Sequence, residues 1–266
     1  MLKDITIGQY YPADSLIHAL DPRVKLFYTM LYMISLFLFH NVIGLIYITI
    51  GLAVVIRLCK VPFSFMVKGL RSIVILLLFA GVFNLLLTPG VPLVTFGVIR
   101  ITELGLKNAV LMTVRMTYLI IGTSIMTLTT TPNALTDALE QSLGFLRRFG
   151  VPVHEMAMMM SIALRFIPIL VEETDKIMKA QMARGADFES GGLIHRVKAM
   201  VPLLVPLFVS AFRRASDLAL AMEARCYHGG DGRTKMKPLV YSAKDRIAYA
   251  LIIAFVAGLI LINRIS

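Results

Sequence analysis

Ser72-Ile-Val-Ile-Leu-Leu-Leu-Phe-Ala-Gly-Val-Phe-Asn-Leu-Leu-Leu-Thr88 carries no charge along 17 consecutive residues. A Lys or Asp at the centre of a bilayer costs about 2.5–3.5 kcal/mol even on insertion scales, so a run of this kind marks a membrane segment. Four more regions read the same way: Leu26–Phe39, Val42–Ile56, Met116–Thr130 (continuing a helical pattern from near Leu104) and Ile247–Ile262. A complete span needs about 17–25 residues. The first two segments, separated by His40-Asn41, sit near or below that limit. They are expected to tilt into a short hairpin or only just to cross.

Composition agrees. The 266 residues are 58% hydrophobic and 16% charged, with a mean hydropathy of +0.78. A soluble domain is about 45–50% apolar and about 25% charged. Disorder, a fibrous repeat and an ordinary soluble enzyme are therefore excluded. The net charge of +11 raises nucleic acid as a partner, but Trp is absent and aromatics are 9%, so base-stacking platforms have little support and no nucleic-acid partner is expected. Cys59 and Cys226 lack a CxxC pattern and a nearby His, which argues against a disulfide framework or zinc site. Met1–Asp21 has no apolar core after a basic start, so no cleavable signal peptide is expected.

Charge placement orients the segments. Lys3, Arg23 and Lys25 precede the first, and Arg57, Lys60, Lys68 and Arg71 fill the link between the second and third. The positive-inside rule places the N-terminus in the cytoplasm. Four segments return the chain there, and the last, bearing only Arg264 at its end, leaves the C-terminus outside.

Between Pro132 and Ser242 the pattern changes. This stretch holds 14 Lys/Arg against 11 Asp/Glu, net +3, while the remainder carries net +8. It reads as three helices. Pro132-Asn133 starts the first, which ends near Gly150. Pro152 starts the second, expected to run about 45–50 Å to Arg184 and stop at Gly185. Glu172 and Lys176 on it form an i,i+4 pair in the favourable order. The third begins near Leu193 and ends before Gly229-Gly230. Its uncharged stretch Ala199–Phe212 contains Pro202 and Pro206, which makes it a poor span and a better buried or interfacial helix. The expected architecture is an all-α membrane protein: a membrane domain with spans 1–4 over residues 1–131, a cytoplasmic coupling domain of about three helices, two of them long, over 132–242, and a final transmembrane helix over 243–266.

The second and third helices finish alike. One reads Ala183-Arg184-Gly185 before Gly191-Gly192, the other Ala224-Arg225-Cys226 before Gly229-Gly230, with the arginines 41 positions apart. Each arginine can simply offset its helix dipole, worth about 0.3–1 kcal/mol. Two matching ends also suit a paired docking device, in which small neighbours admit a partner and the guanidinium grips a carboxylate with two bonds.

These residues carry a family resemblance over nearly the whole chain. It runs through Gly8-Gln9-Tyr10, Asp14-Ser15, Leu20-Asp21-Pro22-Arg23-Val24-Lys25-Leu26, Leu164-Arg165-Phe166-Ile167-Pro168, Gln181-Met182-Ala183-Arg184-Gly185-Ala186-Asp187, Pro206 to Arg213-Arg214-Ala215, and Ala221-Met222-Glu223-Ala224-Arg225-Cys226-Tyr227. The chain resembles the T component, the transmembrane coupling subunit, of energy-coupling factor transporters, the bacterial ABC-type importers of vitamins and trace metals. The resemblance implies a non-catalytic subunit of the bacterial plasma membrane. It implies two ABC ATPase subunits and a small substrate-binding membrane subunit as partners, with ATP-driven motion passed from the first to the second. By the same resemblance Arg184 and Arg225, flanked by Ala183, Gly185, Ala224 and Cys226, anchor the ATPases. Cys226 stands where Gly or another small residue is usual, and its small size predicts only a minor change.

No Gly-x4-Gly-Lys-Ser/Thr loop, metal-ligand motif or nucleophile elbow occurs, and no cofactor is expected; Gly229–Lys235 is Gly-rich in the wrong order and reads as a turn. His154-Glu155 lacks a second His, which leaves Glu155 a helix-start role. Arg115 is expected to snorkel to an interface or to pair with Glu103 or a partner. Nine of 16 Met fall between Pro132 and Ser242. Met156, Met158, Met159 and Met160 either fill core or form an adaptable surface for exchangeable substrate-binding subunits. The competing assignment is a conventional pore-forming ABC permease, which would carry one ATPase-docking loop per chain rather than two.

Overall fold

The computed structural model describes residues 10–39, 42–62, 64–66, 73–89, 92–96, 99–188, 192–230, 236 and 238–265. His40-Asn41, Lys68, Arg71, Gly191 and 231–235 lie outside the described residues. Helices dominate: α1 Pro22–Leu38, α2 Val42–Cys59, α3 Val74–Leu87, α4 Glu103–Thr129, α5 Pro132–Ser142, α6 Val153–Ala183, α7 Leu193–Ala224 and α8 Ala243–Ile265. Two compact units divide the chain, one of Gly8–Ala138 with Leu239–Ser266, the other containing Leu139–Pro238.

In the first unit α1 packs against both α4 and α8. It starts where the sequence allows: Pro22 fills the first helical position, and the Asp21 carboxylate accepts the Arg23 N–H at 2.9 Å. Tyr32, Leu36, Phe39, Ile48, Leu52, Ile121, Ile125, Leu128 and Leu259 belong to the buried cluster between these helices. Glycine permits two of the close approaches. A Cβ at Gly51 of α2 would meet the Phe255 ring of α8 at 2.5 Å, and one at Gly122 of α4 would overlap the Tyr32 ring of α1. Small residues at helix contacts are the ordinary device of membrane bundles.

Arg115 finds a backbone partner rather than a carboxylate among the described residues. Its Nη2 donates to the Phe39 carbonyl at 2.9 Å, and its guanidinium lies 5.0 Å from the Phe39 ring centroid. Phe39 follows the last residue of α1, so the arginine satisfies one of the carbonyls that a helix end leaves without an internal partner.

Among the described residues five helices are long and apolar enough to cross a membrane, and three of them coincide with the charge-free runs. They are α2, α4, α6, the Lys198–Ala224 part of α7, and Ala243–Arg264 of α8. α3 spans only 14 residues and α1 17, about 21 and 26 Å at 1.5 Å per residue. The long pair qualifies because each contains an 18-residue stretch that is apolar on average and carries at most 2 charged side chains. The link between α3 and α4 holds a short hairpin. Pro92–Phe96 (β1) and Ile99–Thr102 (β2) pair antiparallel, with Thr95 opposite Arg100 and Phe96 opposite Ile99. β-Branched and aromatic residues on both sides of a two-residue connection favour such a hairpin. Thr102 then ends the strand and caps α4, accepting the Gly105 N–H at 3.0 Å.

In the second unit, the helix expected to reach Gly150 breaks. α5 ends at Ser142, and a 3₁₀ turn over Gly144–Phe149 closes on Gly150 at φ +80°. Gly144 is a poor helix former, which suits the break. α6 and α7 run 31 and 32 residues. Pro168 lies inside α6, and Pro202 and Pro206 lie inside α7 without ending it.

Candidate functional site

Arg184 and Arg225 occupy the same place in two helix ends, and the backbone there is built twice. At the end of α6, the Gly185 N–H donates to the Met182 carbonyl and the Ala186 N–H to the Gln181 carbonyl, both at 3.0 Å. At the end of α7, the Cys226 N–H donates to the Glu223 carbonyl at 2.9 Å and the Tyr227 N–H to the Met222 carbonyl at 3.1 Å. Each is a Schellman closure, a six-residue bond wrapped around a four-residue one. The residue after each arginine supplies the left-handed turn, Gly185 at φ +90° and Cys226 at φ +55°. Both arginines are exposed, with Ala183 and Ala224 exposed before them.

The closure matters to the side chain. It turns the chain sharply away after the arginine, so no following helical residue shades the guanidinium. The requirement at Cys226 is therefore backbone conformation more than size. A non-glycine residue in the left-handed region costs about 1–2 kcal/mol, so the departure from Gly is larger than its small side chain predicts.

The two ends are not brought together. α6 and α7 pack antiparallel: Gln181 Nε2 reaches the Pro202 carbonyl at 3.5 Å, and Arg214 Nη2 meets Glu173 Oε2 at 3.2 Å. Arg225 lies 23 residues beyond Pro202, about 35 Å along the helix axis. At the far end Gly230 lies flat on the His154 ring, so close that a Cβ there would overlap it. His154 in turn holds Glu140 at 2.7 Å. The His154-Glu155 pair thus serves architecture, with Glu155 in the first turn of α6.

Met156, Met159 and Met160 are exposed on the first turns of α6, and Met158 is half-buried. Sequence reasoning missed a second apolar surface. Val201, Leu204, Val205, Phe208, Val209 and Phe212 of α7 are all exposed, and their i, i+3, i+4 spacing places them on one stripe. In this unit the buried apolar side chains among the described residues are Val153, Ala157 and Leu203. The spacing was legible; its exposure was not. Among the described residues no group of three His, Cys, Asp or Glu side chains suits a metal.

Comparison with known proteins decides the family. The CbiQ family, described as cobalt transport protein, matches residues 13–236. The "Energy-coupling factor transporter transmembrane protein EcfT" of Clostridium kluyveri is 54% identical over 250 residues, 93% of both chains. Proteins of the same name from Ruminiclostridium cellulolyticum and Bacillus subtilis are 48% and 50% identical over 263 residues, covering at least 97% of each chain. The chain belongs to the T components of energy-coupling factor transporters. As a T component it is a multi-pass membrane protein and a transmembrane subunit of a transporter. The repeated helix ends are then a feature of a T component, and the ion pair between them gains meaning. Glu173 and Arg214 each stand 11 residues before their arginine, so equivalent positions of the weak repeat bear opposite charges and meet.

Proposed function

We propose that this T component couples ATP-driven motion in two ABC ATPase subunits to a small substrate-binding membrane subunit, for uptake of a vitamin or trace metal. Arg184 docks one ATPase and Arg225 the other. The reading rests on one observation: two exposed arginines on identically closed helix ends, about 35 Å apart along a rigid helix pair. One binding site needs its groups together, whereas two separate subunits need them apart. Each guanidinium has room to grip a carboxylate with two bonds.

In this scheme the N-terminus and the Leu139–Pro238 unit face the cytoplasm and the C-terminus faces outside. The charge balance of the 132–242 region supports that side for α6 and α7, although both are long and apolar enough to span. Their exposed apolar surface then serves partner contact. Met156, Met158, Met159 and Met160 adapt to exchangeable substrate-binding subunits, as flexible thioether side chains do. Transmission follows from packing: a helix pair crossing at Glu173–Arg214 moves as one body when its ends are displaced.

The test is co-purification. Arg184→Glu with Arg225→Glu is expected to release both ATPases while the chain still inserts. An intact, ATP-active complex after the double change would refute the assignment. A homodimer of this chain with two ATPases and no other membrane subunit would instead establish the pore-forming permease.

A further inference from the structure

The first unit holds two adjoining cavities, one almost wholly apolar and one bordered by cations. One, about 330 Å³, lies between α1, α2, α4 and α8 and is walled by Tyr28, Tyr32, Leu52, Val55, Ile252 and Phe255. The other, about 640 Å³, has a mixed lining that includes Arg57, Lys60 and Lys244, with Asp14 as the one carboxylate among the described residues bordering it. Leu58 lines both. Lys25 stands at the boundary, its ammonium donating to the carbonyls of His18 at 3.2 Å and Thr129 at 2.9 Å. Both volumes fall in the range of small-molecule sites, about 300–1,000 Å³.

Among the described residues none of Arg57, Lys60 and Lys244 holds an ion pair, and all are exposed. Lys60 also adopts φ +55° immediately after α2. A lysine in that region is strained where glycine would not be, at a helix-end position where the left-handed turn commonly falls. His18, which borders the polar cavity, is fixed: Nε2 donates to the Tyr11 carbonyl at 3.0 Å and Nδ1 accepts from the Ser15 hydroxyl at 2.7 Å.

We propose that this composite cavity binds one anionic glycerophospholipid of the surrounding membrane, an acyl chain between Tyr28, Tyr32 and Phe255 and the phosphate on Arg57, Lys60 and Lys244. Charge and polarity choose the occupant. An apolar slot alone would take any chain, and a basic pocket alone any phosphate; joined at Leu58 they match a molecule with both ends. Basic pockets between transmembrane helices are suited to anionic head groups. Charges that the sequence assigns to topology thus acquire a local use.

Trp is absent from the chain, so one introduced indole reports alone. The full chain carrying Leu251→Trp, at the cavity wall, is reconstituted in vesicles of brominated phosphatidylglycerol or brominated phosphatidylcholine. Quenching is expected to show about fivefold preference for phosphatidylglycerol. Ile75→Trp on α3, exposed away from the cavity, is expected to show none. Arg57→Gln with Lys60→Gly and Lys244→Gln brings the Leu251→Trp ratio to about one. Lys60→Gly alone lowers the ratio about threefold yet raises the thermal midpoint, because it relieves the backbone; a merely structural lysine would not separate the two. A ratio of one in the starting protein, equal ratios at both indoles, or a ratio unchanged by the triple substitution would each overturn the proposal.

Discussion

The backbone N–H of Asp21 donates to Asp245 Oδ1 at 2.8 Å, tying the start of α1 to the start of α8 across 224 positions of sequence. Asp245 is 2% exposed and is fully employed. Its other oxygen accepts the Ser242 N–H and the Ser242 hydroxyl, both at 2.7 Å. Asp21 meanwhile caps α1 and receives Arg23 Nη2 at 2.8 Å, and the Arg23 guanidinium lies 3.7 Å from the Tyr241 ring centroid. One small network thus closes the first unit at the point where the chain returns to it after the second.

Removing Asp245 should therefore loosen that closure. Asp245→Ala leaves the buried Asp21 N–H without a partner, and hydrogen bonds to charged groups are worth about 1.5–3 kcal/mol. The expected result is a loss of roughly 2–3 kcal/mol in thermal unfolding of the full chain in detergent. Asp245→Asn keeps an acceptor oxygen for Asp21 and should lose less than half as much. Equal midpoints for wild type and Asp245→Ala would show that the network is incidental.

The two Schellman ends give opposite responses to glycine. Cys226→Gly relieves a left-handed residue and should stabilise by about 1 kcal/mol. Gly185→Ala imposes one where a Cβ would meet nothing within 4 Å, so its cost is backbone alone, about 1 kcal/mol. Hydrogen exchange of the Tyr227 and Ala186 amides reads each end separately. Slower exchange at Tyr227 in Cys226→Gly and faster exchange at Ala186 in Gly185→Ala are expected.

Gly122 tests packing rather than backbone. A Cβ there would overlap Tyr32, which is 2% exposed and donates its hydroxyl to the Tyr118 carbonyl at 3.1 Å. The ring borders the cavity between α1, α2, α4 and α8, but its hydroxyl is held by the Tyr118 carbonyl, so it yields only by giving up that bond. Gly122→Ala should cost about 1–3 kcal/mol by overpacking. Tyr32→Leu in the same chain frees that space and should make Gly122→Ala cheaper than in wild type. A double-mutant cycle in thermal unfolding measures the coupling.

How far these features are legible in sequence depends on whether they are local. Pro152 and Gly185 bracket α6 as punctuation residues should, and the pairing of Ala-Arg ends is visible as spacing. Pro202 and Pro206 mislead because their effect is decided elsewhere. Leu203 between them is buried and the Pro202 carbonyl receives Gln181 from α6, so packing holds a helix whose own bonds are weakened. The left-handed turn at Cys226 is likewise invisible, since composition records a small side chain and not φ. Arg57 and Lys60 read as topology signals, and Lys244 carries no signal of its own; only the fold brings residues of α2 and α8 to one cavity.

Separation sets the last expectation. Sites more than about 7–10 Å apart with no shared partner usually act additively, within about 0.3–0.5 kcal/mol. Arg184 and Arg225 stand about 35 Å apart along α7 and close on separate hydrogen bonds. If each anchors its own ATPase, Arg184→Glu and Arg225→Glu should each weaken retention, and the free-energy changes in the double variant should sum. Retention is measured by binding of separately purified ATPases to the reconstituted chain. Reversing one charge that grips a carboxylate should cost at least about 2 kcal/mol, since leaving a desolvated charge unpaired costs about 2–5 kcal/mol. A double variant no worse than either single would mean that the two arginines serve one site, which their separation on the helix pair does not permit without a large rearrangement.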